Sequence, residues 1–328
     1  MRILVTGAAG FIGSHYVRTA LGGGFGDLDL ESVTVLDKLT YAGNLANLAS
    51  VQDDARYRFV HGDICDASLL DAVLPGNDVV INFAAETHVD RSITGAADFV
   101  VTNVLGAQTL FDACVRAGVG RVVHIGTDEV YGSIESGSWT EDWALRPNSP
   151  YSAAKASAEM LARAYFVTYG LNISTTRCSN NYGPFQFPEK VIPLFVTNLM
   201  DGLNVPLYGD GRNVRDWLHV DDHCRGIQLV VADGAAGESY NIGGGRELSN
   251  KELTERLLAG MGVGWERVTH VEDRKGHDLR YSVDHAKLAA MGYAPRHSFE
   301  DGLAETIDWY RGNEAWWRPL KEKAAIAR

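Results

Sequence analysis

Two stretches of the chain carry residues whose types and spacing suit proton chemistry. One is GTDEVYG, residues 126 to 132, where a hydroxyl and two carboxylates, Thr127, Asp128 and Glu129, stand side by side after the β-branched run RVVHI. Adjacent carboxylates repel one another and resist desolvation. The tripeptide therefore reads either as a solvated turn at a strand end or as a site that needs acids. The other stretch is SPYSAAKASAEMLARAY, which places Tyr151 and Lys155 at i and i+4 on one face of a helix that Ser149 and Pro150 can start. An ammonium close to a phenol lowers its pKa from about 10 toward neutrality, and the phenolate can then take the proton of an alcohol as hydride leaves its carbon. Taken alone, this Tyr-x-x-x-Lys spacing also fits a solvated pair on a surface helix.

A departing hydride needs an acceptor, and the start of the chain offers a place for one. The run RILVT leads into TGAAGFIGSH, with glycines at 7, 10 and 13. Gly7 permits a tight turn, Gly10 lets the backbone approach a pyrophosphate, and Gly13 allows close packing of helix on strand, while the helix N-terminus offers N–H groups to phosphates. A bare glycine pattern can serve only a turn, but its position between strand and helix is the one phosphate binding requires. Asp37 ends the second β-rich run, where an acid can bind the ribose 2′-hydroxyl of NAD and would repel the extra phosphate of NADP.

The elements that must position these groups alternate. Short β-rich runs at 2–6, 33–37, 57–63, 78–85, 121–126 and 172–178 are separated by helical patterns at 11–22, 66–74, 98–117 and 150–169. Near-continuous apolar strands between amphipathic helices predict an α/β fold, a doubly wound parallel (Rossmann) sheet covered on both faces. After residue 178 the alternation fades into a helix at 191–200, a strand at 205–209 and helices capped by Ser249 and Ser298. We expect a dinucleotide-binding domain over 1–178, joined by 217–242, and a smaller C-terminal α/β substrate domain over 179–328.

The composition narrows the partners. No apolar run approaches the roughly 20 residues of a membrane span, and MRILVTGAAG lacks the pattern of a signal peptide, which places the expected compartment in the cytoplasm. Cys65, Cys114, Cys178 and Cys224 are widely spaced, with no pattern of a disulfide framework or zinc knuckle. Forty-two acidic against 30 basic residues give −12, which disfavours nucleic acid. A small anionic ligand would need clustered cations, and Lys190, Arg215 and Arg274 are candidates. His219 and His223 in HVDDH have the i, i+4 spacing of a metal pair, but no glutamate lies between them and Asp221 is expected to cap the following helix, so no metal site is expected. Trp316 and Trp317 are expected to pack under the terminal helix, with an interface as the alternative.

The glycine start, the α/β alternation and the Tyr-x-x-x-Lys pair together resemble the short-chain dehydrogenase/reductase superfamily, and the length resembles its extended, sugar-nucleotide-modifying branch. TDEVYG, AAETHVDRSI, DKLTYAGNL, RCSNNYGPFQFPEK, RDWLHVDDH and DRKGHDLRY are similar to stretches of dTDP-glucose 4,6-dehydratases, over residues 1 to about 281. The resemblance implies an enzyme that retains NAD and converts dTDP-glucose to dTDP-4-keto-6-deoxyglucose. It oxidises C4, eliminates water across C5 and C6, and returns the hydride to C6. Thr127, Tyr151 and Lys155 would serve the oxidation, Glu129 would be the base and Asp128 the acid of the elimination. Two acids with pKa values pushed apart suit that task.

By the same resemblance, Gly7, Gly10, Phe11, Ile12, Gly13, Asp37, Lys38, Leu39 and Thr40 would meet the cofactor. So would Asp63, Ile64, Phe83, Ala84, Ala85, Thr87, Thr102 and Asn181, besides Tyr151 and Lys155. The sugar nucleotide would meet Thr87, Thr127, Asn180, Lys190, Val191, Pro206, Leu207, Tyr208, Arg215, Asn250, Asp273, Arg274 and His277. A homodimer is implied, with helices 98–117 and 150–169 packing as a four-helix bundle. Three positions depart from the family pattern: Gly126 and Thr87 stand where serine is common, and Lys275 replaces a frequent proline. The rival readings are a 4-epimerase, a dehydratase of another sugar nucleotide, and a catalytically silent protein that senses NAD. The two acids argue against the first, Asp37 against users of NADP, and the intact Tyr151, Lys155 and acids against the last.

Overall fold

A computed structural model describes residues 1–26 and 28–326. Seven strands form one parallel sheet: β1 (Arg2–Thr6), β2 (Ser32–Asp37), β3 (Tyr57–His61), β4 (Val79–Asn82), β5 (Arg121–Thr127), β6 (Ile173–Cys178) and β10 (Ser239–Ile242). Their order is β10-β6-β5-β4-β1-β2-β3, with every neighbouring pair parallel. Period-two alternation splits their side chains between two cores. Ile3, Val5, Val35, Ile81 and Val123 enter one, under helices Phe11–Leu21 and Val220–Asp233. Leu4, Leu36, Val80, Val122 and Ile173 enter the other, under Ala107–Ala117 and Pro150–Tyr169. Burial of both faces is why these strands read as unbroken apolar runs.

The remaining strands are β7 (Asn180–Tyr182), β8 (Val205–Tyr208), β9 (Val214–His219), β11 (Glu247–Ser249) and β12 (Val268–Val271). β11, β9 and β7 make a three-stranded sheet and β12 pairs with β8. Around them a third core collects Trp217 of β9 with Phe195, Leu253, Phe299, Tyr310 and Trp317 from the helices Val191–Met200, Asn250–Met261, Phe299–Gly312 and Glu314–Ile326. Ser249 and Glu252 close a capping box, and Ser298 caps its helix through Asp301 N–H.

In the main sheet the chain turns outward between β1 and β4, so the strand ends diverge there into a crevice. Two departures from the sequence expectation shape that crevice. The run 78–85 leaves the sheet after Asn82, freeing Phe83, Ala84 and Ala85 to face it. The helix expected at 98–117 is interrupted by a π-helical turn, Val101–Gly106, between Ala96–Val100 and Ala107–Ala117. That wider turn directs Asn103 inward, where its side chain accepts from Glu86 N–H at 2.8 Å and donates to Glu86 O at 2.9 Å, pinning the loop after β4.

The HVDDH segment also differs from expectation. The helix Val220–Asp233 is capped by His219, whose Nδ1 accepts from Asp221 N–H, while the Asp221 carboxylate turns to His15 at 3.2 Å and Arg225 at 2.7 Å. His223 engages Asn181 at 2.8 Å. His219 stacks on His297 with ring centroids 4.0 Å apart and planes 27° apart. Although His219, His297 and Glu305 lie close together, nearly parallel stacked imidazoles cannot aim their in-plane lone pairs at one ion.

Candidate active site

The crevice is a continuous cavity that begins at the glycine turn and ends at the two acids. Gly7 has φ +66°, and a Cβ there would stand 2.5 Å from Ala84 N, so the turn sits directly against the strand-end backbone of β4. A Cβ on Gly13 would stand 2.8 Å from Ala8 Cα, whereas one on Gly10 would meet only Gly7 O at 3.1 Å and otherwise project into open space. This is a cradle shaped for a phosphate at a helix N-terminus. Asp37 lies buried at the end of β2, its carboxylate fixed by Ala9 N–H at 2.9 Å and Leu39 N–H at 2.8 Å, and it lines the cavity. These residues fit a dinucleotide with a free ribose hydroxyl at Asp37.

All the residues expected to meet the cofactor line the cavity except Leu39, whose backbone (φ 55°) shapes the loop by donating to Asp37. Thr87, Thr127, Asn180 and Lys190 line it too. The other expected substrate contacts are not on its wall. Leu207 is buried in β8 beside Pro206 and Tyr208, and Val191 packs on the third core. Asn250 opens its helix, its N–H donating to Asn213 O. Asp273 and His277 pair at 2.6 Å in the loop after β12, and the His277 ring meets Tyr208 edge-on.

At the far end, β5 delivers Thr127, Asp128 and Glu129, and the first turn of helix Pro150–Tyr169 delivers Tyr151 and Lys155. Ser149 and Ser152 form the capping box that fixes this turn. Thr127 caps the short turn that follows it, accepting from Glu129 N–H at 3.3 Å, and its hydroxyl is 3.4 Å from Asp128 Oδ1. Asp128 is 2% exposed, and its Oδ2 has no hydrogen-bond partner.

Lys155 Nζ donates to Ile125 O at 2.5 Å, so the lysine is committed to the strand, and burial brings its pKa down to about 8. Burial and the Glu129 charge hold Tyr151 well above the ordinary phenol value, with a hydrogen bond from Thr127 working the other way. One helical face brings Tyr151 and Lys155 into the same wall.

The acids are unequal. Burial, then Glu129 and Asp216, raise Asp128 well above the carboxylate range. Burial also raises Glu129, but Arg274, Arg215 and Lys190 all pull it down. Lys190 Nζ donates to Thr87 O at 3.1 Å. Arg215 is held over the Tyr281 ring at 4.1 Å and donates to Asp278 O at 2.9 Å. The arrangement favours the protonated form more strongly at Asp128 than at Glu129, where three cations oppose burial, which suits the pairing of an acid with a base.

Several cavity residues escaped the sequence reading. Asn47 lies in the short helical turn Leu45–Leu48 and Phe185, Gln186 and Glu189 in a loop, and the φ of +68° at Phe185 has no signal in its side chain. Trp316 and Leu320 come from the terminal helix. Trp317 packs in the third core as expected, and Trp316 packs against that core while also lining the cavity.

The family model described as GDP-mannose 4,6 dehydratase matches residues 4–306. The chain belongs to that family. Among its relatives, the dTDP-glucose 4,6-dehydratase of Streptomyces niveus is 59% identical over 98% of this chain and 96% of its own length. That of Streptomyces antibioticus is 61% identical over 99% and 97%. The crystal structure of the dTDP-glucose 4,6-dehydratase DesIV from Streptomyces venezuelae, solved with NAD bound, superposes with a TM-score of 0.97 at 63% identity, covering 98% of this chain and 100% of that one. The doubly wound sheet and the appended C-terminal part are therefore shared with that structure.

Proposed function

We infer that this protein is an NAD-dependent hydro-lyase that converts dTDP-glucose to dTDP-4-keto-6-deoxyglucose. The observation that carries the reading is the unequal acid pair, in which the protonated form is favoured more strongly at Asp128 than at Glu129, where three cations oppose burial. A 4-epimerase, which only moves hydride at one carbon, has no use for that pair. NAD, when bound, takes the hydride from C4 and gives it back at C6. Gly7, Gly10 and Gly13 would hold its diphosphate and Asp37 its ribose.

The chain's own residues move the protons. Tyr151 takes the proton of the C4 hydroxyl, assisted by its hydrogen bond with Thr127. The resulting ketone acidifies C5, and Glu129 removes that proton. Asp128 protonates the C6 hydroxyl, which leaves as water. Glu129 returns its proton to C5 as C6 becomes a methyl group. The balance leaves Tyr151 one proton too many and Asp128 one too few, and the Thr127 hydroxyl, which contacts both, offers the short path between them. Lys190, Arg215 and Arg274 supply the positive field for the substrate diphosphate, with Asn180, Asn250 and His277 nearby on the C-terminal part.

The same reading includes a homodimer in the cytoplasm. Its support is the unpartnered apolar surface of the two helices expected to pack together: Val100, Val101, Leu105, Met160, Phe166 and Val167 are all exposed. Among the described residues no helix is long and apolar enough to cross a membrane. The deciding experiment incubates the protein with dTDP-glucose, UDP-glucose, GDP-glucose and GDP-mannose and reads the ultraviolet absorbance of the 4-keto product in alkali. Turnover of dTDP-glucose well above the others is expected; no product from any of them, or a preference for a GDP-sugar, would overturn the reading.

A further inference from the structure

The terminal helix Glu314–Ile326 belongs to the C-terminal part, where Trp317 is fully buried in the third core. Its neighbour Trp316 packs against the edge of that core and reaches further. Trp316 and Leu320, one turn apart, stand on the wall of the dinucleotide cavity. Trp316 Nε1 donates to Asn47 Oδ1 at 2.9 Å, and Asn47, itself 2% exposed, donates from Nδ2 to Ala9 O at 2.9 Å inside the glycine turn. Arg18, on the helix that follows that turn, donates to Asn47 O at 2.6 Å and lies over the Phe185 ring at 4.2 Å, while Phe185 meets Trp316 edge-on. The tail is thus bonded to the phosphate-binding turn through one buried asparagine.

We propose that Trp316 and Leu320 form a latch that holds the bound dinucleotide in place, a positioning role for the tail that rests on reading this cavity as the NAD site. The reaction returns its hydride to the same sugar, so the cofactor has no need to leave, and a wall that spans both parts of the chain slows its escape. A wall residue anchored on the glycine turn opens only when the Trp316–Asn47 bond and the aromatic packing against Phe185 break together. Cofactor residence, more than the rate of the chemical steps, is then the property that the tail sets.

The test loads the protein with NAD labelled in its adenine, adds excess unlabelled NAD, and follows label loss by rapid filtration. Trp316→Ala should release label at least about tenfold faster than the parent protein, since it loses both a hydrogen bond and ring packing. Trp316→Phe, which keeps a ring but no N–H, should fall between them. Circular dichroism establishes that each variant is folded; should Trp316→Ala fail to fold, Leu320→Ala on the same wall decides by the same measurement. Equal release from parent and folded variant would overturn the latch while leaving the cofactor reading intact. A parent protein that binds no labelled NAD and also releases no resident nucleotide on denaturation would instead overturn the cofactor reading on which the latch depends.

Discussion

Replacing Glu129 by Gln should cost more than a base, because Glu129 also sets the state of its neighbour. The Glu129 charge is the largest influence after burial that raises Asp128, whereas Arg215 acts on Asp128 in the opposite sense. With a neutral amide at 129, burial and Asp216 still raise Asp128, but the larger of the two charges opposing its ionisation is gone while Arg215 remains, so the Asp128 pKa falls toward the ordinary carboxylate value and the acid is weakened along with the base. Loss of a general acid or base typically costs ~10² to 10⁴-fold in rate, about 2.7 to 5.4 kcal/mol each at 1.36 kcal/mol per tenfold. Were the two groups independent, Asp128→Asn on top of Glu129→Gln would multiply those losses. The geometry predicts otherwise: the double variant should lie within about tenfold of Glu129→Gln alone, a coupling of more than about 1.4 kcal/mol in a double-mutant cycle. The assay is product formation from dTDP-glucose, with absorbance of reduced nicotinamide recorded in parallel. Oxidation at C4 does not use Glu129, so that absorbance should build up in Glu129→Gln and stay near baseline in Tyr151→Phe. Full turnover by Glu129→Gln, or strictly multiplicative losses in the cycle, would refute the division of labour between the acids.

Further outcomes follow from the same geometry. Activity should be bell-shaped in pH, rising as Glu129 ionises and falling as Asp128 loses its proton; because Arg274 is the largest influence lowering Glu129, Arg274→Gln should raise the Glu129 pKa and move the acid limb of kcat to higher pH, and an unmoved limb would count against it. Arg177→Met should destabilise the fold by about 3 to 5 kcal/mol in urea titration by stranding the buried Glu159 carboxylate, while Arg177→Met with Glu159→Met should regain most of it. At Gly126, a departure from the expected family pattern, a Cβ would stand 2.3 Å from Thr176 O on β6, so Gly126→Ser should lower stability by about 1 to 3 kcal/mol and reduce turnover, because the same strand ends in Thr127; a variant as stable as the parent would show that β5 and β6 separate freely.

The sequence was most legible where one side chain or one period determines the outcome. Apolar runs buried on both faces announced the parallel sheet, and Gly7, with its positive φ and its approach to Ala84, could hardly be another residue. The acid pair was visible as a local anomaly, since no plain turn needs two carboxylates at a strand end. Contacts between distant segments were not legible. Nothing in Asn103 signals the π-helical turn that points it at Glu86, and Trp316 differs from Trp317 only in which side of one helix it occupies. The Tyr151–Lys155 spacing gave the right face, but not the strand carbonyl 30 residues away, Ile125 O, that accepts from the ammonium. Lys275, the departure that put the nearby loop in question, is exposed beside Gly276 with its positive φ, so the turn is made by the glycine.

The distribution of charge links these parts. The chain carries a net charge of −12, yet Lys190, Arg215 and Arg274 act together on Glu129. The acids come from the end of β5, whereas Arg215 comes from β9, Arg274 from the loop after β12 and Lys190 from the residue before helix Val191–Met200. The inequality between Asp128 and Glu129 therefore exists only where the dinucleotide-binding sheet and the C-terminal part meet. A substrate diphosphate, in the role proposed for it, draws on the same cations that hold Glu129 down. Its negative charge offsets part of their field, so Glu129 becomes a stronger base when the sugar is in place and remains ionised, and a weaker base, when it is not. Binding and proton abstraction are then coupled through shared electrostatics, without any movement of the fold.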